Sequence, residues 1–256
     1  MPAPYLSIVI PAYNEAERIP KTLIDMDRRL ARADYSYEIL VIDDGSKDNT
    51  LEVVRKMEPM IRNLRAVETK ENLGKGGAVR RGMLMAKGQI RIFTDADNST
   101  SIDQFDNMVP FFKQGYAVVI GSRAIRGAKL EPPEPLYRQI IGKGLNLFIQ
   151  ALLLRGIWDT QCGFKAFTAE AADRVFRASK IRGWGFDVEI LSLAKEMGYK
   201  IKEMPVHWVN DARSHVRFSA GLQFIRDAGK IRWWIWKRAY EPLAATGSRQ
   251  PTDGTH

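Results

Sequence analysis

Asp95-Ala96-Asp97 sets two carboxylates two residues apart at the end of an apolar run, residues 90–94. Residues i and i+2 leaving a strand point the same way. Two such carboxylates can share a hard divalent cation, Mg²⁺ or Mn²⁺, which in turn binds a diphosphate. The cation offsets charge building on a departing nucleoside diphosphate. Other chemistry-bearing residues follow two earlier apolar runs: Tyr13 and Glu15 after the first, Asp43 and Asp44 after the second. The acids can accept hydrogen bonds from a base or ribose, and Tyr13 can stack on a base. Asn72-Leu73-Gly74-Lys75-Gly76-Gly77 opens a helix, where backbone N–H groups and Lys75 could meet phosphate. The glycine loop is neither of two common alternatives. A Walker A loop needs Ser or Thr where Gly76 stands and Gly where Lys70 stands. A dinucleotide fingerprint starting at Gly74 meets Val79 where Gly or Ala belongs.

These residues need a scaffold that brings strand ends together. Apolar runs at 6–10, 38–42, 65–68 and 90–94 alternate with helical spacing at 18–33, 50–57 and 76–86. Strand–helix alternation with short loops predicts a mostly parallel sheet with helices on both faces. In such sheets ligands bind beyond the carboxyl ends of the strands, which is where the acids fall. Further along, the pattern predicts a helix at 103–113, a strand at 117–120 and a Gly/Pro-rich loop at 126–135. A helix at 138–154, a strand at 164–167, helices at 170–178 and 188–197, and a strand at 200–206 follow. A last helical stretch covers 220–240, and the polar residues 241–256 read as a disordered tail.

Composition narrows the class. Apolar residues make up 45% of 256, ample for a single α/β domain over 1–240. One cysteine, Cys162, allows no intrachain disulfide, so a reducing compartment is expected and the thiol reads as structural. The N-terminal stretch has no basic leader and too short an apolar core for a secretion signal. No run of about 18 apolar residues is present to span a bilayer. The net charge of +9 is concentrated in two stretches. Residues 123–155 hold six basic and two acidic side chains, and residues 213–238 hold seven and one. Clustered positive charge suits phosphate, nucleic acid or an anionic membrane. No RNP, KH or zinc pattern occurs, which argues against nucleic acid.

Val9-Ile10-Pro11-Ala12-Tyr13-Asn14-Glu15, Val41-Ile42-Asp43-Asp44-Gly45-Ser46 and Asp95-Ala96-Asp97 resemble the GT-A nucleotide-sugar site of family 2 glycosyltransferases. Gly121-Ser122-Arg123, Arg155-Gly156-Ile157, Asp159-Thr160-Gln161-Cys162-Gly163-Phe164-Lys165 and Phe186-Asp187-Val188-Glu189-Ile190-Leu191 resemble dolichyl-phosphate β-glucosyltransferases. Dolichyl-phosphate mannose synthases share most of these patterns. The resemblance spans residues 5–240 and implies a GT-A fold with a nucleotide-sugar half over 5–122 and an acceptor half over 123–240. It implies that Pro11, Ala12, Tyr13, Glu15, Ile42, Asp43, Asp44, Lys75, Asp95 and Ala96 bind the nucleotide-sugar, UDP-glucose. Asp95 and Asp97 would hold the metal, with Asp97, Asp187 and Arg123 catalytic. Arg123, Arg138, Ser214 and Arg217 would meet the acceptor phosphate of a dolichyl or other polyprenyl lipid. Two positions depart from the pattern: Ser99 stands where mannose synthases often carry Gln, and Ser214-His215 replaces a Ser-Lys pair.

A phosphomonoester carries close to two negative charges at pH 7 and is already a nucleophile, so a general base is not strictly required. Asp187 and Glu189 are the best candidates for a base or a sugar-hydroxyl contact, although acids also favour a helix N-terminus. A lipid acceptor requires a membrane surface. The helix at 138–154 shows two apolar stripes, Ile141, Leu145, Phe148, Leu152 and Ile140, Leu147, Ala151, Leu154. The stretch at 220–240 mixes Trp233, Trp234, Trp236 and Tyr240 with Arg226, Lys230, Arg232, Lys237 and Arg238, which suits an interfacial helix. The expected location is therefore the cytoplasmic face of a membrane, peripherally bound. Trp158 and His207 read as packing residues. The alternative function is a family 2 transferase with a glycan or other non-lipid acceptor.

Overall fold

The computed structural model describes residues 3–132, 136–209 and 219–240, with the side chains of 136–141, 143 and 219–222 left out of the description. Strands β1 (Leu6–Ala12), β2 (Tyr37–Asp43), β3 (Leu64–Glu68) and β4 (Ile90–Phe93) alternate with helices α1 (Ile19–Leu30), α2 (Thr50–Met57) and α3 (Lys75–Met85). A 3-10 helix (Ile102–Asn107) and the short α4 (Val109–Lys113) lead to β5 (Val118–Ser122), β6 (Lys129–Glu131) and α5 (Leu136–Leu152). The chain continues through β7 (Lys165–Thr168), α6 (Ala169–Ala178), α7 (Phe186–Glu196), β8 (Ile201–Pro205), β9 (His207–Val209) and α8 (Ser219–Trp236).

Seven strands form one sheet in the order β3-β2-β1-β4-β7-β5-β8. All neighbours are parallel except β7, which runs antiparallel between β4 and β5. Along each strand alternate side chains enter opposite layers. Val9, Leu40, Ile42 and Phe93 face a layer closed by α3, α6, α7 and α8, while Ile8, Ile10, Ile39, Val41 and Ile92 face α1 and α2. Strands buried on both faces read as continuous apolar runs, which is why the first half was legible from periodicity.

Three features differ from the sequence expectation. The predicted helix at 103–113 is a 3-10 turn joined to a five-residue helix, because Pro110 lacks an N–H and sits at the start of a new helix. The loop at 126–135 contains β6, which pairs with β9 in a separate two-stranded parallel ribbon. Trp158 and His207 are not packing residues: Trp158 is 52% exposed, and half-exposed His207 places Nε2 3.3 Å from a Glu131 carboxylate oxygen. Residues 241–256, expected as a tail, lie outside the described residues.

Phe93, Phe167 and Phe176 form the aromatic centre of one layer, with Phe176 edge-on to both others at 6.4 and 5.3 Å. Phe176→Ala is expected to cost about 3–5 kcal/mol of unfolding free energy, read by urea denaturation. A loss below about 1 kcal/mol would show that this layer collapses around the gap.

Candidate active site

β1, β2 and β4 lie side by side, and Ala12 pairs with Asp43, so the residues following all three strands emerge at one edge. Asp43 is buried. Its Oδ2 accepts the Ser46 N–H at 3.3 Å, and its Oδ1 has no protein partner. It borders an open pocket that also includes Ser46, Asn49, Glu68 and Thr69. Pro11 is partly exposed, Ala12 is buried, and Tyr13 is 41% exposed, leaving its ring accessible. Glu15 accepts two hydrogen bonds of 2.6 Å from the Arg18 guanidinium. Burial pushes the Glu15 carboxyl up, Arg18 pulls it back, and Asp97 and Asp95 add to the rise. Glu15 therefore lies in the field of both strand-end acids.

Two of the expected nucleotide-site residues have their side chains engaged by the protein itself. The Ile42 side chain is fully buried in the core beside Gly82, where a Cβ would approach it to 2.9 Å, which leaves only its main chain for contact with a nucleotide. The Asp44 carboxylate accepts the Leu73 N–H at 2.7 Å and the Thr69 hydroxyl at 3.4 Å, which makes it a brace for the glycine loop. The start of α3 is also not an open phosphate cradle. The Gly76 and Gly77 N–H groups donate to the Arg182 carbonyl at 2.8 and 3.4 Å.

Lys75 acts through its side chain. Its ammonium pairs with Asp95 Oδ1 at 2.6 Å and lies 5.3 Å over the Trp184 ring. Burial works to lower the Lys75 pKa, but Asp95, Asp187 and Asp97 together raise it. Conversely, burial opposes ionisation of Asp95, yet Lys75, Lys165 and Arg123 hold its carboxyl below the usual carboxylate range. A Cβ on Gly163 would sit 2.0 Å from Asp95 Oδ2, so the main chain of the 159–165 segment rests directly on that carboxylate. Ala96 is buried, and its carbonyl accepts the Thr22 hydroxyl at 2.6 Å. Asp97 Oδ1 accepts the Ser99 N–H at 2.9 Å, and the buried Ser99 Oγ has no partner. Among the described residues no three His, Cys, Asp or Glu side chains cluster as a metal cage. Two hard carboxylates beside an unpartnered hydroxyl fit a divalent cation whose remaining ligands come from a diphosphate.

The second half supplies the cations. Arg123 closes a bidentate pair on Asp159 (Nε to Oδ2 2.8 Å, Nη2 to Oδ1 3.0 Å) and stacks 5.4 Å over Trp208. Burial opposes ionisation of Asp159, and the Arg123 guanidinium, its N–H groups and Lys165 overcome it. Lys165, fully buried, reaches Asp187 Oδ1 at 2.5 Å and also donates to the Cys162 carbonyl. Burial pushes the Asp187 carboxyl up, against the pull of Lys165 and Lys75. Glu189 is a structural acid. It accepts the Lys180 and Ile181 N–H groups and the Tyr240 hydroxyl at 2.8 Å, and has no exposure to substrate. Cys162 is buried with its thiol pushed up to about 11, consistent with a structural role.

The structure thus brings Asp95, Asp187, Lys75, Lys165 and Arg123 within electrostatic reach of one another, with Asp97 acting on Lys75 and Glu15. The Arg138 side chain, Ser214 and Arg217 lie outside the described residues. Lys165, Asp159, Trp184 and Trp208 were not singled out by role from sequence. Only Lys165 carried a signal: a charge between Phe164 and Ala166-Phe167 in a run that must be buried.

Comparison with known proteins gives a consistent picture. The model of "Glycosyl transferase family 2" matches residues 7–176. A dolichyl-phosphate beta-glucosyltransferase of Dictyostelium discoideum is 40% identical over 251 residues, 91% of this chain and 76% of that protein. The Homo sapiens dolichyl-phosphate beta-glucosyltransferase is 34% identical, over 90% and 76% of the two chains. Among solved structures, glucosyl-3-phosphoglycerate synthase from Mycobacterium tuberculosis in complex with Mn²⁺, UDP-glucose and phosphoglyceric acid matches with a TM-score of 0.64 at 20% identity. That match covers 90% of this chain and 80% of that one. At that identity the likeness establishes a shared α/β fold.

Gly163→Ala is expected to displace Asp95, or the turn that rests on it, by an ångström or more. Turnover should fall about 100-fold while the chain stays folded. Turnover within a few fold of wild type would mean that Asp95 can move without consequence.

Proposed function

Because the chain is a glycosyltransferase that belongs to glycosyl transferase family 2, we propose that it moves a glucosyl group from UDP-glucose to dolichyl or another polyprenyl phosphate at the cytoplasmic face of a membrane. The observation that carries this reading is the convergence of the Lys75–Asp95 and Lys165–Asp187 pairs with Arg123, which joins an acidic donor site to a partly exposed guanidinium suited to a phosphate acceptor. The names of the relatives supply the lipid and the sugar.

In this reading the open pocket beside Asp43 takes the nucleoside, and the exposed Tyr13 ring stacks on the base. Asp95 and Asp97 hold Mg²⁺ or Mn²⁺, which supplies positive charge against the diphosphate. Lys75 is placed to exchange Asp95 for a phosphate oxygen. An acceptor phosphate oxygen attacks the anomeric carbon as the bond from that carbon to the diphosphate oxygen breaks, in one inverting displacement. Arg123, its plane fixed by Asp159 and Trp208, orients the acceptor phosphate, with Arg138, Ser214 and Arg217 as further candidates from the acceptor half. Asp187 aligns the acceptor or a sugar hydroxyl rather than abstracting a proton, since the phosphate is already a nucleophile.

Membrane contact falls to α5 and α8. Leu147 and Phe148 on α5 and Ile225, Trp233 and Trp236 on α8 are exposed, with Trp236 at 71%, while Ile149, Phe224, Ala228 and Ile231 anchor the same helices in the core. No helix among the described residues is long and apolar enough to cross a bilayer. Exposed tryptophans among lysines and arginines suit a helix lying in the headgroup region.

The test is nucleoside diphosphate release from a panel of UDP- and GDP-sugars with Mn²⁺, with and without a short polyprenyl phosphate. Release is expected only with UDP-glucose and the lipid phosphate together, and Asp97→Ala should lower it about 100-fold. Release indifferent to the lipid phosphate would replace the acceptor with a glycan or other non-lipid molecule, and an Asp97→Ala rate within a few fold would remove the metal role. In flotation, the chain should rise with anionic vesicles, and Trp233→Glu with Trp236→Glu should abolish this. Unchanged flotation of that variant would move membrane contact elsewhere.

A further inference from the structure

We propose that Lys165 is a positioning residue that sets the Asp187 carboxylate and, through one turn of chain, the Asp95 carboxylate. The inference rests on the proposed role of Asp187 facing the reacting groups. Lys165 opens β7, the antiparallel strand, where it pairs with Phe93 on β4 and Ile120 on β5. That register puts its side chain in the middle of the sheet, 5.4 Å from the Phe93 ring and out of contact with solvent. Among the described residues the ammonium has two acceptors. One is Asp187 Oδ1 at 2.5 Å, on the second residue of α7. The other is the Cys162 carbonyl. The residue following Cys162 is Gly163, whose main chain lies against Asp95 Oδ2. One buried cation thus holds the acceptor-side acid directly and the donor-side acid through the 162–163 peptide.

A buried ion pair is often replaceable by apolar side chains with neutral or stabilising effect, whereas removing one partner strands a charge. Phe93 and the surrounding core could accommodate an apolar residue at 165. A retained charge at this position is explained by what it aims. Lys75 pairs with Asp95 at 2.6 Å, whereas Lys165 is the cation in direct contact with Asp187.

The test is a double-mutant cycle on kcat and KM with UDP-glucose, Mn²⁺ and polyprenyl phosphate. Lys165→Met and Asp187→Asn should each lower kcat about 100-fold through lost alignment, with donor KM within about threefold of wild type. The double variant should stay within about threefold of Asp187→Asn, since the two residues act as one unit. Lys165→Gln, which keeps an N–H donor for both acceptors, should recover about tenfold over Lys165→Met. A double variant that falls by the product of the two single losses overturns the proposal, as does Lys165→Met at the wild-type rate or Lys165→Gln no better than Lys165→Met. If Lys165→Met fails to fold because Asp187 is left unpaired, the double variant and Lys165→Gln carry the comparison alone. Should the wild-type chain ignore the lipid phosphate, the acceptor reading has failed. The same cycle is then read on donor hydrolysis to water, which needs no lipid.

Discussion

An ionised carboxylate at the mouth of an apolar sheet survives only when cations reach it, and Asp95 is where that constraint bears hardest in this chain. Among the described residues Lys75 from the glycine loop, Lys165 from β7 and Arg123 from the end of β5 act on it. The first comes from the half of the sequence that carries the acids, the other two from the half that follows. Each direct ion pair of the site stays within its own half, yet Lys165 and Arg123 act across on Asp95, so the site is complete only when the two halves are packed together. The antiparallel insertion of β7 between β4 and β5 delivers this: it places Lys165 beside Phe93, two residues before Asp95, and lays Gly163 on the Asp95 carboxylate.

The same packing links the site to the C-terminal helix. Tyr240, just beyond α8, donates to Glu189 on α7, and Lys180 reaches the Ala239 carbonyl at 2.6 Å. The segment between Lys180 and α7 carries Arg182, whose carbonyl caps the start of α3, and Trp184, which covers Lys75. Buried Asp227 on α8 lies against Gly185, where a Cβ would come within 2.6 Å of it. The helix that offers Trp233 and Trp236 to its surroundings is therefore packed on the loop that shapes the donor side of the site.

Much of this was legible in the sequence because strands buried on both faces leave continuous apolar runs and because the acids follow them. The four strands and three helices of the first half fall within a few residues of their expected places, and Asp43, Asp95 and Asp97 stand at the ends of the two strands that flank β1. Other features needed the third dimension. A three-residue ribbon such as β6–β9 has too few residues to show a period. The direction of β7 leaves no trace in its composition. Asp44 and Glu189 look like Asp43 and Asp187 in sequence, yet Asp44 Oδ1 holds the Leu73 N–H and Glu189 holds those of Lys180 and Ile181, while Asp43 keeps an unpartnered Oδ1 beside the pocket. Ile42 belongs to a motif but points the other way along the strand alternation, into the core.

The most direct measurement is a crystal structure of this chain with UDP and Mn²⁺. The account predicts the metal on Asp97 and Asp95, with the Lys75 ammonium moved from Asp95 onto the diphosphate and Lys165 still seated on Asp187. A diphosphate bound away from Asp95 and Asp97, with the Lys75–Asp95 pair intact, would contradict it.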